Sequence, residues 1–288
     1  MQEGVPSRTA FGVAYRRAAH QLLDERPPVL DDPVAVPILG PDTSAGIIAN
    51  SEKQRHPFSL AMRAFMVVRS RCAEDHLKRA VASGVRQYVV LGAGLDTFAY
   101  RNPFPPERLR VFEVDHPATQ EWKRELLASA KISVPETLAF APVDFERQTL
   151  RDGLARVGFD FEQPAFFSWL GVTPYLTLEA FRSTILFIAS LPAGTGVTFE
   201  YALPREALCE RGKLAFDLIA SRVKKAGEPF QLFFLPEQMR NELRGVGFGK
   251  IEELSSSEIN ALYFAERKDG LRLYGEAARL ITAWQLNF

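Results

Sequence analysis

A short apolar run that ends in two glycines constrains this chain more than any other part of its sequence. Residues 88–97 read Tyr-Val-Val-Leu-Gly-Ala-Gly-Leu-Asp-Thr, so β-branched and aromatic residues lead directly into the loop Gly92-Ala93-Gly94. In α/β proteins, a first strand that ends in a small glycine-rich loop holds a nucleotide-like ligand above it. The pattern therefore predicts an α/β fold with a ligand site at the end of this strand.

Two acids in the next predicted strand indicate the same kind of site. Residues 110–115 read Arg-Val-Phe-Glu-Val-Asp, which places Glu113 and Asp115 about twenty residues after the glycines. An acid at that distance can accept hydrogen bonds from both hydroxyls of a ribose. Because side chains alternate along a strand, both acids lie on one face and compete for this role. An alternative role for Asp115 is to cap the helix expected to begin at Pro117.

The composition excludes several classes of partner. The chain has 288 residues, 47% of them hydrophobic, and Lys plus Arg equals Asp plus Glu at 35 each. A net charge of zero argues against binding to nucleic acid or to an anionic membrane. Neither Cys72 nor Cys209 belongs to a CxxC pair, and no histidines have metal spacing. We therefore expect a cytoplasmic protein with reduced thiols, no metal site, no secretion signal and no membrane span.

Strand and helix patterns alternate over the central part of the chain. A long helix is expected over residues 59–83, and further helices begin near Pro117, Leu150 and Thr177. The strands are expected at residues 87–91, 110–114, 138–143, 164–170 and 196–201. Repeated strand–helix units require a parallel sheet with right-handed crossovers.

The regular alternation of strands and helices ends after Pro204. A helical stretch to about residue 226 and a last core helix at 236–246 precede two expected strands at 250–254 and 262–266. These features predict a mostly parallel sheet with a C-terminal antiparallel hairpin and helices on both faces. Residues 1–288 are expected to form a single domain, in which residues 1–58 and 204–234 form a helical cap over the ligand.

Several further motifs stand in a fixed order. They are Val-Arg-Ser-Arg at 68–71, Tyr-Arg at 100–101, Val-Asp-Phe at 143–145, Ser-Trp-Leu-Gly-Val-Thr-Pro-Tyr-Leu at 168–176, Tyr-Phe-Ala-Glu-Arg at 263–267 and Tyr-Gly-Glu-Ala-Ala-Arg at 274–279. Together with the glycine loop and the acids of the second strand, they resemble the leucine carboxyl methyltransferase family, in particular its bacterial S-adenosylmethionine-dependent branch. The resemblance runs from about residue 9 to the C-terminus. It implies a Rossmann-like methyltransferase fold that binds S-adenosylmethionine.

The resemblance assigns residues to the methionine half of that cofactor. Gly92, Ala93 and Gly94 match the family's loop, whose backbone N–H groups approach the methionine because its glycines have no side chains. Arg69 matches an arginine that holds the cofactor's carboxylate. A guanidinium can do so through two parallel hydrogen bonds.

The nucleoside half is assigned in the same way. Asp115 matches the acid that binds the ribose, and Glu113 is its neighbour. Asp144 and Phe145 match an acid–apolar pair beside the adenine. The acid accepts from the exocyclic amine, and the aromatic ring packs on the base.

One position departs from the family pattern. Many members carry a glutamate before the glycine of the fourth-strand motif, where this chain has Leu170. A contact near the transferred methyl group or the ribose is therefore expected to be lost or moved. The substrate of the eukaryotic relatives, the C-terminal leucine of a phosphatase subunit, is not expected to carry over.

The expected reaction is methyl transfer from S-adenosylmethionine to an oxygen of a small molecule. A carboxylate, with a pKa near 4, is ionised at neutral pH and needs no base, whereas a phenol near 10 benefits from one. No base is evident, which favours a carboxylic acid and leaves the catalytic residues unassigned. Candidates for orienting the acceptor are Arg16, Arg17, Tyr175, Tyr201 and Tyr263.

Two alternatives belong to other classes. A nicotinamide-dependent oxidoreductase has a third glycine where this chain has Thr97, and no Tyr-x-x-x-Lys pair occurs where a short-chain dehydrogenase has it. A non-catalytic S-adenosylmethionine-binding protein is suggested by Leu170. The sequence does not specify the oligomeric state.

Overall fold

Helices and strands alternate along the chain in the computed structural model, which describes residues 8–145, 147–225 and 227–286. In these ranges the α-helices are α1 (Arg8–Leu23), α2 (Gly40–Ala49), α3 (Ser51–Gln54), α4 (Pro57–Ala82), α5 (Pro117–Ser129), α6 (Leu150–Arg156), α7 (Leu178–Ala189), α8 (Glu210–Lys225), α9 (Pro236–Gly245) and α10 (Ser256–Tyr263). The strands are β1 (Gln87–Leu91), β2 (Arg110–Asp115), β3 (Leu138–Pro142), β4 (Ala165–Trp169), β5 (Gly196–Ala202), β6 (Lys250–Leu254) and β7 (Ala278–Trp284). Short 3-10 helices occur at Pro37–Leu39, Phe98–Arg101, Thr173–Tyr175 and Arg205–Ala207.

The strands form one sheet in the order β3-β2-β1-β4-β5-β7-β6. Strands β1 to β5 are parallel, and β7 runs antiparallel to both β5 and β6. The order reverses at β1, which lies between β2 and β4. Parallel sheets bind ligands in the crevice that such a reversal opens beyond the carboxyl ends of the strands. The expected mostly parallel sheet with antiparallel strands at its C-terminal end is confirmed.

The two faces of the sheet are covered by different helices. On one face, Val89 and Leu91 belong to a core cluster with side chains of α6, α7 and α9. On the other face, Tyr88 and Val90 pack against α4. Because side chains alternate along β1 and both faces are covered, this strand is buried throughout. Burial on both faces explains why the sequence of β1 is apolar almost without interruption.

Local signals in the sequence place most elements correctly. Strand β1 has the expected bounds, and α4 differs from its expected range by two residues at its start and one at its end. The Oγ1 atom of Thr177 accepts a hydrogen bond from the Ala180 N–H at 3.2 Å and so caps α7. Pro117 opens α5, where its missing N–H has no intrahelical partner to lose.

The expected strand at residues 262–266 is wrong. This segment lies in and just after α10, which Ser255 and Glu258 begin with a capping box. Ile259 and Phe264 pack into the core from α10 and its C-terminal end, and Leu262 is 64% exposed. The second antiparallel strand is β7, at residues 278–284, where no strand was predicted from the sequence. It is inserted between β5 and β6, so β6 and β7 pair without forming a tight hairpin.

The N-terminal segment packs on the helical layer outside the sheet. Ala14 and Ala18 of α1 join a cluster with Ile47 of α2 and Leu127 of α5. None of the helices in the described part of the chain combines the length and the apolar character needed to span a lipid bilayer.

Candidate functional site

A cavity of about 990 Å³ lies at the carboxyl ends of the parallel strands. Its walls come from the glycine loop after β1, the segments after β2, β3 and β4, the helices α1 and α4, and residues 227–231. Pockets for small molecules typically measure about 300–1,000 Å³, so this cavity stands at the upper end of that range. It is large enough for a cofactor together with a second molecule.

The glycine loop forms one wall of the cavity and leaves no room for side chains at its two glycines. Gly92 has a φ of 64° and Gly94 a φ of 49°. A Cβ atom at Gly92 would approach Cγ2 of Val172 to 2.4 Å, and one at Gly94 would lie 3.1 Å from Cβ of Ala10. Both the backbone conformation and the close packing therefore require glycine. Ala93, between them, also lines the cavity.

Asp115 is held at the cavity by the glycine loop. Its Oδ2 accepts from the Gly94 N–H at 2.5 Å, and its Oδ1 accepts from the His116 N–H at 2.7 Å. Burial raises the pKa of Asp115, and these two N–H groups oppose that rise. Each oxygen keeps a lone pair, so the carboxylate can accept two more hydrogen bonds. The cap of α5 is the Nδ1 atom of His116 rather than Asp115.

Glu113 lies behind Asp115, away from the cavity lining. It is 1% exposed, and its Oε2 accepts from Nζ of Lys123 on α5 at 2.6 Å. Burial raises the pKa of Glu113 to about 7, although Lys123 opposes the rise. Its Oε1 has no hydrogen-bond partner among the described residues. The two acids share a strand face, but α5 covers Glu113 and leaves Asp115 at the opening.

Arg69 reaches the cavity from α4 and is 5% exposed. Its Nη1 donates to Oε1 of Glu200 at 2.7 Å. The same oxygen accepts from the Gly171 N–H at 2.6 Å. A Cβ at Gly171 would meet Nη2 of Arg69 at 2.9 Å, so the guanidinium lies against this glycine. The arginine is therefore fixed between β5 and the loop that follows β4.

Glu200 was not predicted from the sequence as a site residue. It is 3% exposed on β5, whose residues are all buried. A buried acid costs free energy unless it is paired, so a single acid in an otherwise uncharged strand indicated a buried partner. The sequence does not reveal that its partner is Arg69, because 131 residues separate them.

Asp144 and Phe145 line the cavity beyond the end of β3. Asp144 is half-buried, and one of its oxygens lies 3.5 Å from Nε of Arg147. Phe145 is 59% exposed. An exposed aromatic ring at the wall of a cavity offers a flat apolar surface on which a planar ligand can stack.

Of the five residues considered for orienting an acceptor, the structure places two at the cavity, Arg17 and Tyr175. Burial raises the pKa of Tyr175 to about 12. Arg16 instead donates to the carbonyl of Gly12 at 2.8 Å. Tyr201 and Tyr263 donate to the carboxylates of Glu253 and Asp75, respectively.

A buried network joins α1 to the end of the glycine loop. Arg17 is 3% exposed and forms ion pairs with Asp32 at 2.7 Å and with Asp96 at 3.0 Å. Thr97 donates to Asp32 at 2.8 Å and accepts from Nη2 of Arg17 at 2.7 Å. Thr97 therefore has a bonding role that a glycine at this position does not provide.

The N-terminal segment and the segment after α8 meet at the cavity. Oγ1 of Thr9 donates to Oε2 of Glu228 at 2.8 Å, and both residues line the cavity. The N–H of Gln231 donates to the carbonyl of Pro174 at 2.7 Å. In the described part of the chain, no cluster of three or more His, Cys, Asp or Glu side chains is arranged to hold a metal ion.

Comparison with known proteins by sequence identifies a family, and comparison by structure identifies the fold. A family model described as leucine carboxyl methyltransferase matches residues 10–189. YktD of Bacillus subtilis, provisionally named an S-adenosyl-L-methionine-dependent methyltransferase, is 36% identical over 209 residues, which cover 72% of this chain and 68% of YktD. A provisionally named methyltransferase of Saccharopolyspora erythraea is 34% identical over 69% of each chain.

Two crystal structures share the fold. One is a provisionally named methyltransferase from Thermobifida fusca, with a TM-score of 0.58 and 15% identity over 99% of this chain and 97% of that one. The other is a DUF574 family protein from Streptomyces avermitilis, with a TM-score of 0.52 and 17% identity over 94% and 96%. At these identities, the likeness establishes the architecture of the chain.

Proposed function

The chain belongs to the leucine carboxyl methyltransferase family, and from that premise we infer that it transfers a methyl group from S-adenosylmethionine to an oxygen atom of a small-molecule acceptor. S-adenosylmethionine is the cofactor of the relatives that it matches. The observation that carries the proposal is that predicted cofactor residues from four separate segments line one cavity. They are Arg69, Gly92, Ala93, Gly94, Asp115, Asp144 and Phe145.

The cavity fits the cofactor at both ends. At the methionine end, the Gly92–Gly94 loop lines the cavity, and buried Nε of Arg69 has no partner among the described residues. At the nucleoside end, we assign the ribose to Asp115 and not to Glu113, because Glu113 is sealed beneath α5. We assign the adenine to Asp144 and the exposed ring of Phe145.

The protein contributes position rather than acid–base chemistry. When bound, S-adenosylmethionine supplies a methyl group already activated by its sulfonium. The residues of the cavity hold an acceptor in line with it and exclude water, and such positioning can lower a barrier by about 7–11 kcal/mol.

A carboxylate is the acceptor that this cavity suits best. Tyr175, with its pKa raised to about 12, keeps its proton at neutral pH and does not act as a base. Arg17 is occupied by Asp32 and Asp96. A carboxylic acid is already ionised at neutral pH, so it needs no base from the protein.

We assign residues 1–58 and 204–234 to a cap over the site. The hydrogen bond between Thr9 and Glu228 supports this assignment, because it joins the two segments at the cavity. Residues 1–7 and 226 of these segments lie outside the described residues.

The alternatives are not favoured. In an oxidoreductase loop, a third glycine stands where Thr97 bonds to Asp32 and Arg17. A non-catalytic role was suggested only by the absence of a glutamate at Leu170. Glu200 of β5 provides a carboxylate beside Gly171 instead, which removes that reason.

Binding and transfer are tested separately. Calorimetry should show heat with S-adenosylhomocysteine and none with reduced nicotinamide dinucleotide, and the reverse result would end the proposal. The protein is then incubated with methyl-labelled S-adenosylmethionine and a metabolite extract rich in carboxylic acids. We expect a labelled product that releases methanol in base, because methyl esters hydrolyse there. Label that survives base treatment rules out a carboxylate acceptor.

A further inference from the structure

A buried ion pair at the wall of the cavity is only partly satisfied: Arg69 lines the cavity, and Glu200 lies directly behind it, bonded to Arg69 and to Gly171, which also lines the cavity. Glu200 uses Oε1 for both Arg69 and the Gly171 N–H, and its Oε2 has no partner among the described residues. The Nε atom of Arg69 also has no hydrogen-bond partner among the described residues. A buried donor or acceptor without a partner is unfavourable, so the presence of one of each in a single ion pair calls for an explanation.

The unpartnered atoms have opposite chemistry. Arg69 presents a donor on a cation, and Glu200 presents an acceptor on an anion. Their two charged groups are already 2.7 Å apart. A ligand that satisfies both must place an anionic acceptor beside the arginine and a cationic donor beside the glutamate. An α-amino acid zwitterion has that arrangement, with its carboxylate and ammonium on one carbon.

We propose that Glu200 binds the α-ammonium group of the cofactor while Arg69 binds its carboxylate. This assignment rests on the proposed function, because it requires S-adenosylmethionine in the cavity. It adds to the site a residue from β5, a strand that supplies none of the other cofactor residues. The interaction is charge-assisted on both sides, and such hydrogen bonds are about twice as strong as neutral ones.

The register of the sheet explains why the acid comes from β5. Trp169 of β4 pairs with Phe199 of β5, so Leu170 and Glu200 are the next residues of the two parallel strands. Adjacent strands are about 4.8 Å apart, and paired residues point to the same face. Leu170 lines the cavity with an apolar side chain that accepts no hydrogen bond. The carboxylate beside Gly171 is therefore provided one strand further along.

A different role for Glu200 predicts the opposite result. If this glutamate only neutralised Arg69, the cofactor's carboxylate would compete with it for the guanidinium. Removing its charge would then tighten binding. Under our proposal, removing the charge weakens binding, and only for ligands that carry the ammonium group.

The experiment compares two ligands by calorimetry, S-adenosylhomocysteine and its analogue without the α-amino group. Wild-type protein should bind the analogue at least tenfold more weakly. In Glu200→Gln, affinity for S-adenosylhomocysteine should fall at least tenfold, and affinity for the analogue should change less than threefold. The matched control is Glu253→Gln, a strand glutamate paired with Arg240 outside the cavity, which should leave both affinities unchanged.

Each outcome decides the proposal. Equal losses for both ligands, no loss, or tighter binding in Glu200→Gln would overturn it and leave the proposed function intact. No binding of S-adenosylhomocysteine to wild-type protein would remove the proposed function and this assignment together. Because the readout is the ratio of two affinities in one sample, partial unfolding of the variant does not affect it. Equal affinities of the wild-type protein for the two ligands would contradict the assignment whether or not the variant folds.

Discussion

Two buried ion pairs lie on the same side of the sheet, and they differ in what they face. Glu113 and Lys123 join β2 to α5, and both are 1% exposed. Arg69, which lines the cavity, pairs with Glu200 directly behind it and so joins α4 to β5. Both glutamates keep one oxygen without a partner among the described residues. Burial of an acid therefore does not identify a ligand site. The two acids differ in their row in the sheet, because Glu113 aligns with Val90 inside β1, whereas Glu200 lies one residue beyond the last pair of β4 with β5, Trp169 and Phe199.

The cation also differs between the two pairs. Lys123 directs a single ammonium at Glu113 and lies 5.4 Å from the centre of the Tyr100 ring. Arg69 has five N–H donors in a fixed plane, so one can bind Glu200 while others remain for a ligand. The lysine pair is suited to hold a helix on the sheet, and the arginine pair is suited to bind a second molecule.

The largest expected difference between the pairs comes from removing their cations. Arg69→Met should weaken S-adenosylhomocysteine binding by roughly 3 kcal/mol, because truncating one partner of a buried charge pair typically costs about 2–5 kcal/mol. Lys123→Met should destabilise the fold, measured by urea unfolding, and leave affinity within threefold. Unchanged affinity in Arg69→Met, measured by calorimetry, would remove Arg69 from the site.

A smaller effect separates the two acids of β2. Asp115→Asn should weaken cofactor binding by about 2 kcal/mol, since hydrogen bonds to a charged group contribute about 1.5–3 kcal/mol. Glu113→Gln should leave affinity unchanged, because its carboxylate lies beneath α5. Titration of both variants with S-adenosylhomocysteine checks this difference. A greater loss in Glu113→Gln than in Asp115→Asn contradicts the assignment of the ribose.

The smallest expected effect is on the pH dependence of stability. The pKa of Glu113 is raised by burial to about 7 in the folded chain and is near 4.3 when unfolded. As pH rises between these values, the unfolded chain releases a proton that the native state retains, so stability falls until the folded pKa is passed. Between pH 6 and 8 this group should cost about 1 kcal/mol.

Urea unfolding of wild-type protein and Glu113→Gln at both pH values isolates that contribution. The free energy of unfolding should fall further for the wild type than for the variant, although the variant is less stable overall because Lys123 loses its partner. Glu113→Gln/Lys123→Met is the control that removes both charges. Parallel pH dependence in all three proteins would show that Glu113 does not titrate in this range.

The sequence predicted those parts of the fold that depend on local patterns. The apolar run of β1, the proline that opens α5 and the threonine that caps α7 each determine structure within a few residues. The wrong prediction of a strand at residues 262–266 also has a local cause. The capping box at Ser255 starts a helix there, and this signal outweighed the short apolar run. The family resemblance is confirmed over residues 10–189, and the tail motifs at 263–267 and 274–279 lie beyond that range.

The site was predictable only where one strand end specifies it. The glycine loop and Asp115 follow directly from strands that the sequence identifies. The choice between Glu113 and Asp115 depends on α5, which covers one of two acids that alternation leaves equivalent. Glu200 was missed because its role depends on the register of β4 with β5 and on a helix 131 residues away.

The place of β7 in the sheet has a consequence for synthesis of the chain. On the ribosome, β5 emerges well before residues 278–284, which supply its outer neighbour. Until then β5 has an open edge, and such edges invite pairing with other chains. Hydrogen exchange on ribosome-bound chains that end before residue 278 should therefore show weaker amide protection in β5 than in β1. The part of the crevice that is backed by Glu200 would then form last, and a nascent chain would form the nucleoside part, beside β1 and β2, first.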